Sequence, residues 1–258
     1  VECVQQVWSR GRPMVEEMMA KLRPLGYKPY IFMTDAYLHG ASQLRQRFHL
    51  VVSKVRLEFP LPTPETYGKT VRQTLEELYE KGPVKQYDKD RLLPPRYYRW
   101  LGNYVQPGQN CRKVWMHLMG KKETSPGPNP GCPPFIAQRL GWDRPAPTFA
   151  GGPDFFHPGD WRSITPQEMA VLSGYPATYD FHPNLQEAYK EVAKAVMPPM
   201  GRYLGKVFKL ALEEGLGVVD LEMEGINYTY LNQTARVKPP SMDPALFGKF
   251  KERGIPVC

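Results

Sequence analysis

The sequence predicts an α/β protein of two lobes, one regular and one an irregular, mixed module, and three observations predict it. Apolar residues at helical spacing near the start give way to two short β-prone runs. From about residue 84 to 158 the periodicity weakens, and Pro, Gly, Tyr and Trp become frequent. Helical spacing then returns behind a well-formed cap signal.

Val15, Met18, Met19 and Leu22 repeat at helical spacing before the breaker Gly26. "YKPYIFMT" and "FHLVVSKV" read as strands with "DAYLHGASQLRQR" between them. In "FPLPTPETYGKTVRQTLEELYEKG", Thr63 is placed to cap a helix, Pro64 suits its first position and Glu65 its positive end. Val71, Leu75 and Leu78 share one face, and Gly82 stops the helix. "KKETSPGPNPGCPP" is a turn-rich loop inside the irregular region, and such regions carry recognition more than core. In "SITPQEMAVLSGYP", Thr165 is a cap, Pro166 the first helical residue and Glu168 the third residue of a capping box, with Met169 and Leu172 inward. A long helix is expected from about Asn184 to Glu214, interrupted at Pro198 and Pro199, with Met200, Leu204 and Phe208 continuing its stripe.

Composition narrows the function classes. With 41% hydrophobic and 23% charged residues, the chain is neither a disordered tail nor a membrane protein. No apolar run approaches the roughly 20 residues that span a bilayer, and no charged-then-apolar leader opens the sequence, so a cytoplasmic location is expected. The first residue is Val, as in a chain that has lost its initiator or a fragment of a longer one. Cys3, Cys111, Cys132 and Cys258 are scattered, which argues against a metal site or a disulfide framework and for a reducing compartment. The net charge of +8 is uneven: residues 1–59 carry +4, residues 60–150 carry +6 and the remainder −2. That distribution suits a polyanion such as DNA, or simply a basic domain.

Four segments, in order along nearly the whole chain, carry a resemblance. "VECVQQV" resembles a Glu-Asn-Val motif with Cys3 in place of Asn. "GASQLRQRFHLVVS" resembles a Gln-x-Arg-x-Arg strand behind a Gly-x-Pro-Gln turn, with Gly40, Gln43, Arg45 and Arg47 in place and Ser42 where Pro is usual. "QRLGWDRPAPTFAGGPDFFHPGDWRSITPQEMAVLSGYP" is similar to the end of a target-recognition region. It keeps Arg139, Leu140, Trp142, Asp143, Pro145 to Thr148, His157, Pro158, Arg162, Thr165, Pro166, Glu168, Gly174 and Pro176. "AKAVMPPMGRYLG" resembles a last motif that normally reads Gly-Asn-Ala-Val-x-Pro, with Ala193 and Lys194 replacing Gly-Asn. Together these resemble the DNA cytosine-5 methyltransferases.

The resemblance implies a reaction in which a thiolate adds to a cytosine flipped out of the duplex, and C5 then takes a methyl group from S-adenosylmethionine. Such chemistry requires a carboxyl group at ring N3 and a cation at O2, where charge develops. By resemblance Glu2 is the N3 partner and Arg47 the O2 partner. Taken alone, Glu2 reads equally as a solvated acid, and Arg45 and Arg47 as surface cations. Arg45 is expected to contact phosphate or to order its loop, and Gln43 to position the turn. Arg162 is expected to pair with phosphate or with an acid that fixes the recognition module. Arg112 and Lys113, with Lys121 and Lys122, flank loops that suit phosphate contacts. Tyr97, Tyr98, Arg99 and Trp100 form a basic-aromatic cluster that is either a DNA contact or the module's core, and Thr148 and His157 suit structural roles. Ala195 and Val196 are the residues expected nearest the methyl donor, and no metal is expected.

The motifs of the family's first half, a Phe-x-Gly-x-Gly donor turn and a Pro-Cys-Gln nucleophile loop, do not occur in the sequence. Cys132 in Gly-Cys-Pro-Pro is a poor imitation of the latter. The expectation is therefore the C-terminal part of a Rossmann-like methyltransferase domain (1–84), an irregular target-recognition domain (85–182) and a helical return onto the catalytic domain (183–258). Its partners would be double-stranded DNA and a complementary N-terminal chain or segment that binds most of the S-adenosylmethionine. The alternative is a DNA-binding remnant without catalysis. The compact recognition module suits a bacterial or phage restriction-modification enzyme.

Overall fold

The structure is a computed structural model and describes residues 2–3, 10–60, 62–81, 89–121 and 132–213. Gly82, Lys122, Cys258 and the tail beyond 213, on which some expectations fell, lie outside these residues. The described residues form two compact units. One takes those up to Gly68 and from Val196 onward; the other runs from Lys69 to Ala195.

The first unit is a three-stranded sheet between helices. Strand β1 (Glu2–Cys3), helix α1 (Arg12–Leu22), strand β2 (Lys28–Asp35) and strand β3 (Gln46–Ser53) follow in chain order. The sheet order is β1-β3-β2, antiparallel throughout. Strand alternation gives its two faces different jobs. Ile31, Met33, Phe48 and Leu50 bury against Val15 and Met19 of α1. Tyr30 and Val51, on the other face, join a cluster with Leu57 and with Val207 and Ala211 of helix α7 (Pro198–Glu213). Pro13 suits the first turn of α1, and Gly26, at φ 83, allows the left-handed turn that ends the short 3-10 extension after it.

The turn between β2 and β3 is held from both sides. Asp35 Oδ1 accepts from the backbone N–H groups of Tyr37 (3.1 Å) and Arg45 (3.0 Å). Burial raises the Asp35 carboxyl above its usual pKa, and those hydrogen bonds oppose the rise. Thr66 Oγ1 donates to Leu38 O (2.7 Å), and Gly68 N donates to Tyr37 O (2.6 Å). Gly68 is required there, because a Cβ would sit 1.9 Å from Ala41 O.

The second unit contains helices α2 (Val71–Glu80), α3 (Lys89–Leu92), α4 (Cys111–Leu118), α5 (Pro166–Leu172) and α6 (Leu185–Lys194), with a parallel pair, β4 (Gln138–Arg139) and β5 (Phe155–Phe156). Val71, Leu75 and Leu78 of α2 share one core with Met169, Ala170 and Leu172 of α5 and Ala188, Tyr189 and Val192 of α6. That shared core explains why the units divide at 68/69 and 195/196 rather than at 84 and 182. A second cluster joins Tyr98, Leu101, Val105, Cys111, Trp115 and Phe156. Burial there pushes the Cys111 thiol up to about 12, which makes it an inert core residue.

Three local expectations are corrected. Thr63 and Pro64 open only a 3-10 turn, Pro64–Thr66, without a side-chain cap. The helix itself starts at Thr70, whose Oγ1 accepts from Gln73 N while Gln73 Oε1 accepts from Thr70 N. The long helix expected from Asn184, with its interruption at Pro198 and Pro199, is two separate helices with a gap at 195–197, because the prolines lack the N–H groups that would continue the first and Ala195 is extended at φ −72, ψ 156. The buried face of α7 is Met200, Val207 and Ala211, whereas Phe208 is exposed. Finally, the irregular region holds an unforeseen helix, α4, capped by Asn110 Oδ1 accepting from Lys113 N (3.1 Å). The box at Thr165, Pro166 and Glu168 forms as expected.

Candidate active site and recognition surface

Glu2 and Arg47 meet on the face of the first unit's sheet that carries Tyr30 and Val51. Glu2 is paired in register with His49, and Arg47 lies two residues before His49 on β3, so all three side chains share that face. Arg47 Nε stands 3.1 Å from Glu2 Oε1, with the side chains 17% and 22% exposed. Arg47 Nη1 also donates to Gln46 O (2.7 Å). Among the described residues Glu2 takes only this one contact, and Arg47 keeps Nη2 for another acceptor. A carboxyl and a guanidinium side by side can address a planar ring that offers a nitrogen and a carbonyl oxygen on one edge.

Beneath the pair lies a layer the sequence did not announce. Thr34 Oγ1 is 2.8 Å from His49 Nε2, and the imidazole stacks on Phe32 with centroids 5.2 Å apart. Thr34 is the register partner of Arg47. Burial, with smaller effects from nearby cations, pushes the His49 pKa down to about 4, so the ring is neutral at pH 7. No motif marks this pairing; it follows from register alone.

Gln43 and Arg45 are both buried in the turn that precedes β3. Gln43 thus sits inside the turn it was expected to position, and of the two roles expected for Arg45 the geometry is that of ordering the loop, with its backbone N–H on Asp35 Oδ1.

In the second unit, Arg162 spends its guanidinium on Glu168: Nη1 is 2.8 Å from Oε2 and Nη2 is 2.7 Å from Oε1. Of the two roles expected for Arg162, the geometry is that of pairing with an acid. Glu168 is 1% exposed and also accepts from Thr165 N (2.7 Å) and from the Tyr79 hydroxyl (2.7 Å). Burial alone would raise the Glu168 pKa, but these bonds and the Arg162 charge bring it below the usual carboxylate value. His157 Nδ1 accepts from the backbone N–H groups of Gly159 and Asp160, so Nε2 carries the proton and donates to Tyr79 Oη (3.1 Å). His157 is therefore structural. Arg112 is half-buried and Lys113 exposed, both in the first turn of α4, and Lys121 lies 5.3 Å from the Trp115 ring centroid.

Ala195 lines a shallow depression of about 410 Å³ with Tyr175, Tyr179, Asp180, Phe181, Glu191 and Lys194, and Val196 is exposed. Ala195 and Val196 can offer S-adenosylmethionine only backbone groups and apolar contact. They do not supply the carboxylate or glycine-rich turn that its ribose and charged end require, so the expected donor contact does not amount to a donor site. Among the described residues no three His, Cys, Asp or Glu side chains gather as a metal site, and no helix is long and apolar enough to cross a membrane.

Comparison with known proteins accounts for this architecture. Residues 2–209 match the family model of C-5 cytosine-specific DNA methylases. The chain is 25% identical over 208 residues to the type II methyltransferase M.Sau96I of Staphylococcus aureus, which covers 74% of this chain and 45% of that one. It is 28% identical over 229 residues to the type II methylase M.HgiDII of Herpetosiphon aurantiacus, covering 81% and 62%. The chain thus spans about half the length of the curated relatives it matches. Its fold is similar to a solved prophage-encoded DNA modification methyltransferase (E. coli) at TM-score 0.59 and 16% identity, covering 82% of this chain and 68% of that one. It is also similar to the Entamoeba histolytica methyltransferase EhMeth at TM-score 0.51 and 11% identity, covering 82% and 62%. The chain belongs to the C-5 cytosine-specific DNA methylase family.

Proposed function

We propose that this chain is the C-terminal half, or a subunit, of a DNA cytosine-5 methyltransferase. It binds duplex DNA and grips the flipped target cytosine, and methyl transfer requires a further chain or segment with the nucleophilic Cys and most of the donor site. The observation that carries the reading is the Glu2–Arg47 pair, whose two groups match the N3–O2 edge of cytosine. Supporting it are the basic middle of the sequence and a length near half that of the relatives.

In this reading the Glu2 carboxyl group and ring N3 share a proton while Arg47 Nη2 donates to O2. Both stabilise the charge that arrives on the ring when a thiolate adds at C6. C5 then becomes nucleophilic, accepts the methyl group and afterwards loses its proton. S-adenosylmethionine, the family's methyl donor, supplies that group when bound. His49, neutral and tied to Thr34, leaves Arg47 as the cation beside Glu2 on that face. Arg162 is assigned to holding the recognition module through Glu168, not to phosphate. Arg112 and Lys113 are assigned to phosphate contacts.

The test is reconstitution. The purified chain alone transfers no label from methyl-labelled S-adenosylmethionine to duplex DNA, and adding the family segment with the donor turn and the Pro-Cys loop restores transfer to cytosine C5. If a folded, DNA-binding chain gains no activity from that addition, the remnant without catalysis is the better reading.

A further inference from the structure

The turn Arg96–Asn103 in the second unit has two distinct sides. Tyr98, Leu101 and Val105 are buried in the cluster that contains Phe156. Arg96, Arg99, Trp100, Asn103 and Tyr104 face outward. Trp100 is 38% exposed and Tyr104 48% exposed, and their rings meet edge to face with centroids 5.8 Å apart. Two large aromatic rings in contact and two arginines of the same turn are therefore solvent-exposed.

That surface is braced from below. Trp161 Nε1 donates to Arg99 O (2.7 Å), and its indole packs against Phe156, tilted by 35° with centroids 4.7 Å apart. Gly102 makes the approach possible, since a Cβ there would lie 2.4 Å from the Trp161 ring. Arg99 Nε donates to Pro94 O (3.1 Å), which fixes the next side chain along the turn. Exposed aromatic rings on a braced turn, with arginines in the same turn, have the chemistry of a nucleobase stacking site: a ring face for the base, cations for its phosphate. Arg96 and Arg99 in this turn, within residues 60–150 that carry +6, complement the charge of a polyanionic occupant.

We infer that Trp100 and Tyr104 form a stacking site for an unstacked nucleobase of bound DNA, flanked by phosphate contacts from Arg96 and Arg99. The inference rests on the DNA-binding reading above and deepens it by naming where an unstacked base other than the target cytosine is received. Stacking on aromatic rings tolerates any base, so the site favours displaced bases without choosing among the four.

The experiment compares the full chain on a perfect duplex and on the same duplex with one unpaired base, at fixed salt. The wild-type chain binds the unpaired-base duplex about tenfold more tightly, the order expected for one base stacked on an aromatic ring. Trp100→Leu, which stays apolar but loses the ring, abolishes that difference while keeping its affinity for the perfect duplex. Trp100→Phe keeps most of the difference, and Tyr104→Leu lowers it. Equal melting temperatures of all variants establish that each is folded. If Trp100→Leu retains the full preference, the platform is wrong and the DNA-binding reading stands. If the wild-type chain binds neither duplex, both fail. If Trp100 fluorescence, isolated by difference against Trp100→Phe, is quenched by the complementary methyltransferase segment without DNA, the rings serve a protein contact and the inference falls.

Discussion

Among the carboxylate–guanidinium pairs of the described residues, two, Glu168–Arg162 and Glu2–Arg47, one from each unit, are built for opposite ends. In the second unit Glu168 is enclosed, with Arg162 on both oxygens, a backbone N–H and a tyrosine hydroxyl as further donors. In the first unit Glu2 meets Arg47 through one 3.1 Å contact at a partly exposed strand end. A pair with every hydrogen-bonding position filled has nothing left to offer a ligand and serves as a structural fastener. A pair with positions to spare, at a surface, can open toward a substrate. Charge type alone does not separate these cases; hydrogen-bond occupancy does.

The comparison is broken most forcefully at Glu168. Glu168→Ala leaves Arg162 in a half-buried site with only the looser contact to exposed Asp160 (3.5 Å) and should cost about 3 kcal/mol of stability, read by urea unfolding. A loss below about 1 kcal/mol would mean that the enclosed pair is no fastener.

A pH titration sharpens the contrast through His49 in the first unit. Its folded pKa of about 4 lies below the ordinary imidazole value of 6.5, so the unfolded chain takes up the proton first. Its contribution is full above about pH 6.5 and is lost as the pH falls toward 4, by about 1.4 kcal/mol per pH unit within that window. His49→Phe keeps the aromatic stack on Phe32 and should flatten that part of the stability profile. An unchanged slope would show that His49 is not the group responsible.

Smaller effects follow. Tyr79→Phe removes one donor from Glu168 and the acceptor for His157 Nε2, and should lower stability by about 1 kcal/mol in the same unfolding assay. Lys113→Ala removes one exposed cation, so the slope of log affinity for duplex DNA against log salt should become shallower by about 1 with folding untouched. Loss of stability, or an unaltered slope, would remove Lys113 from the DNA surface.

What was legible in the sequence was local chemistry and motif order. The Thr165–Glu168 capping box, the helix through Val15 and Met19 and the two long strands each depend on a few neighbouring residues, and each formed. The pairing of Glu2 with Arg47 was implied only through resemblance, since 45 residues separate them and strand register brings them together. Tyr79 reaching Glu168 and His157 carried no signal at all, because nothing in the end of α2 announces which loop it will meet. The choice between the two roles of Arg45 was not legible for a related reason. Alternation along a strand predicts a face for each side chain, but Arg45 precedes the first residue of β3 and is buried by the turn. Pro198 and Pro199 marked the break between the last two helices, yet not that each helix belongs to a different unit.

The central claim is that the open pair serves the substrate and not the fold. It is tested most directly by Arg47→Ala in the reconstituted enzyme, with turnover, duplex affinity and unfolding free energy measured on the same preparation. Turnover should fall by about 100- to 1000-fold, with duplex affinity nearly unchanged and stability lowered by no more than about 1 kcal/mol. Undiminished turnover, or a loss matched by unfolding of the chain, would contradict it.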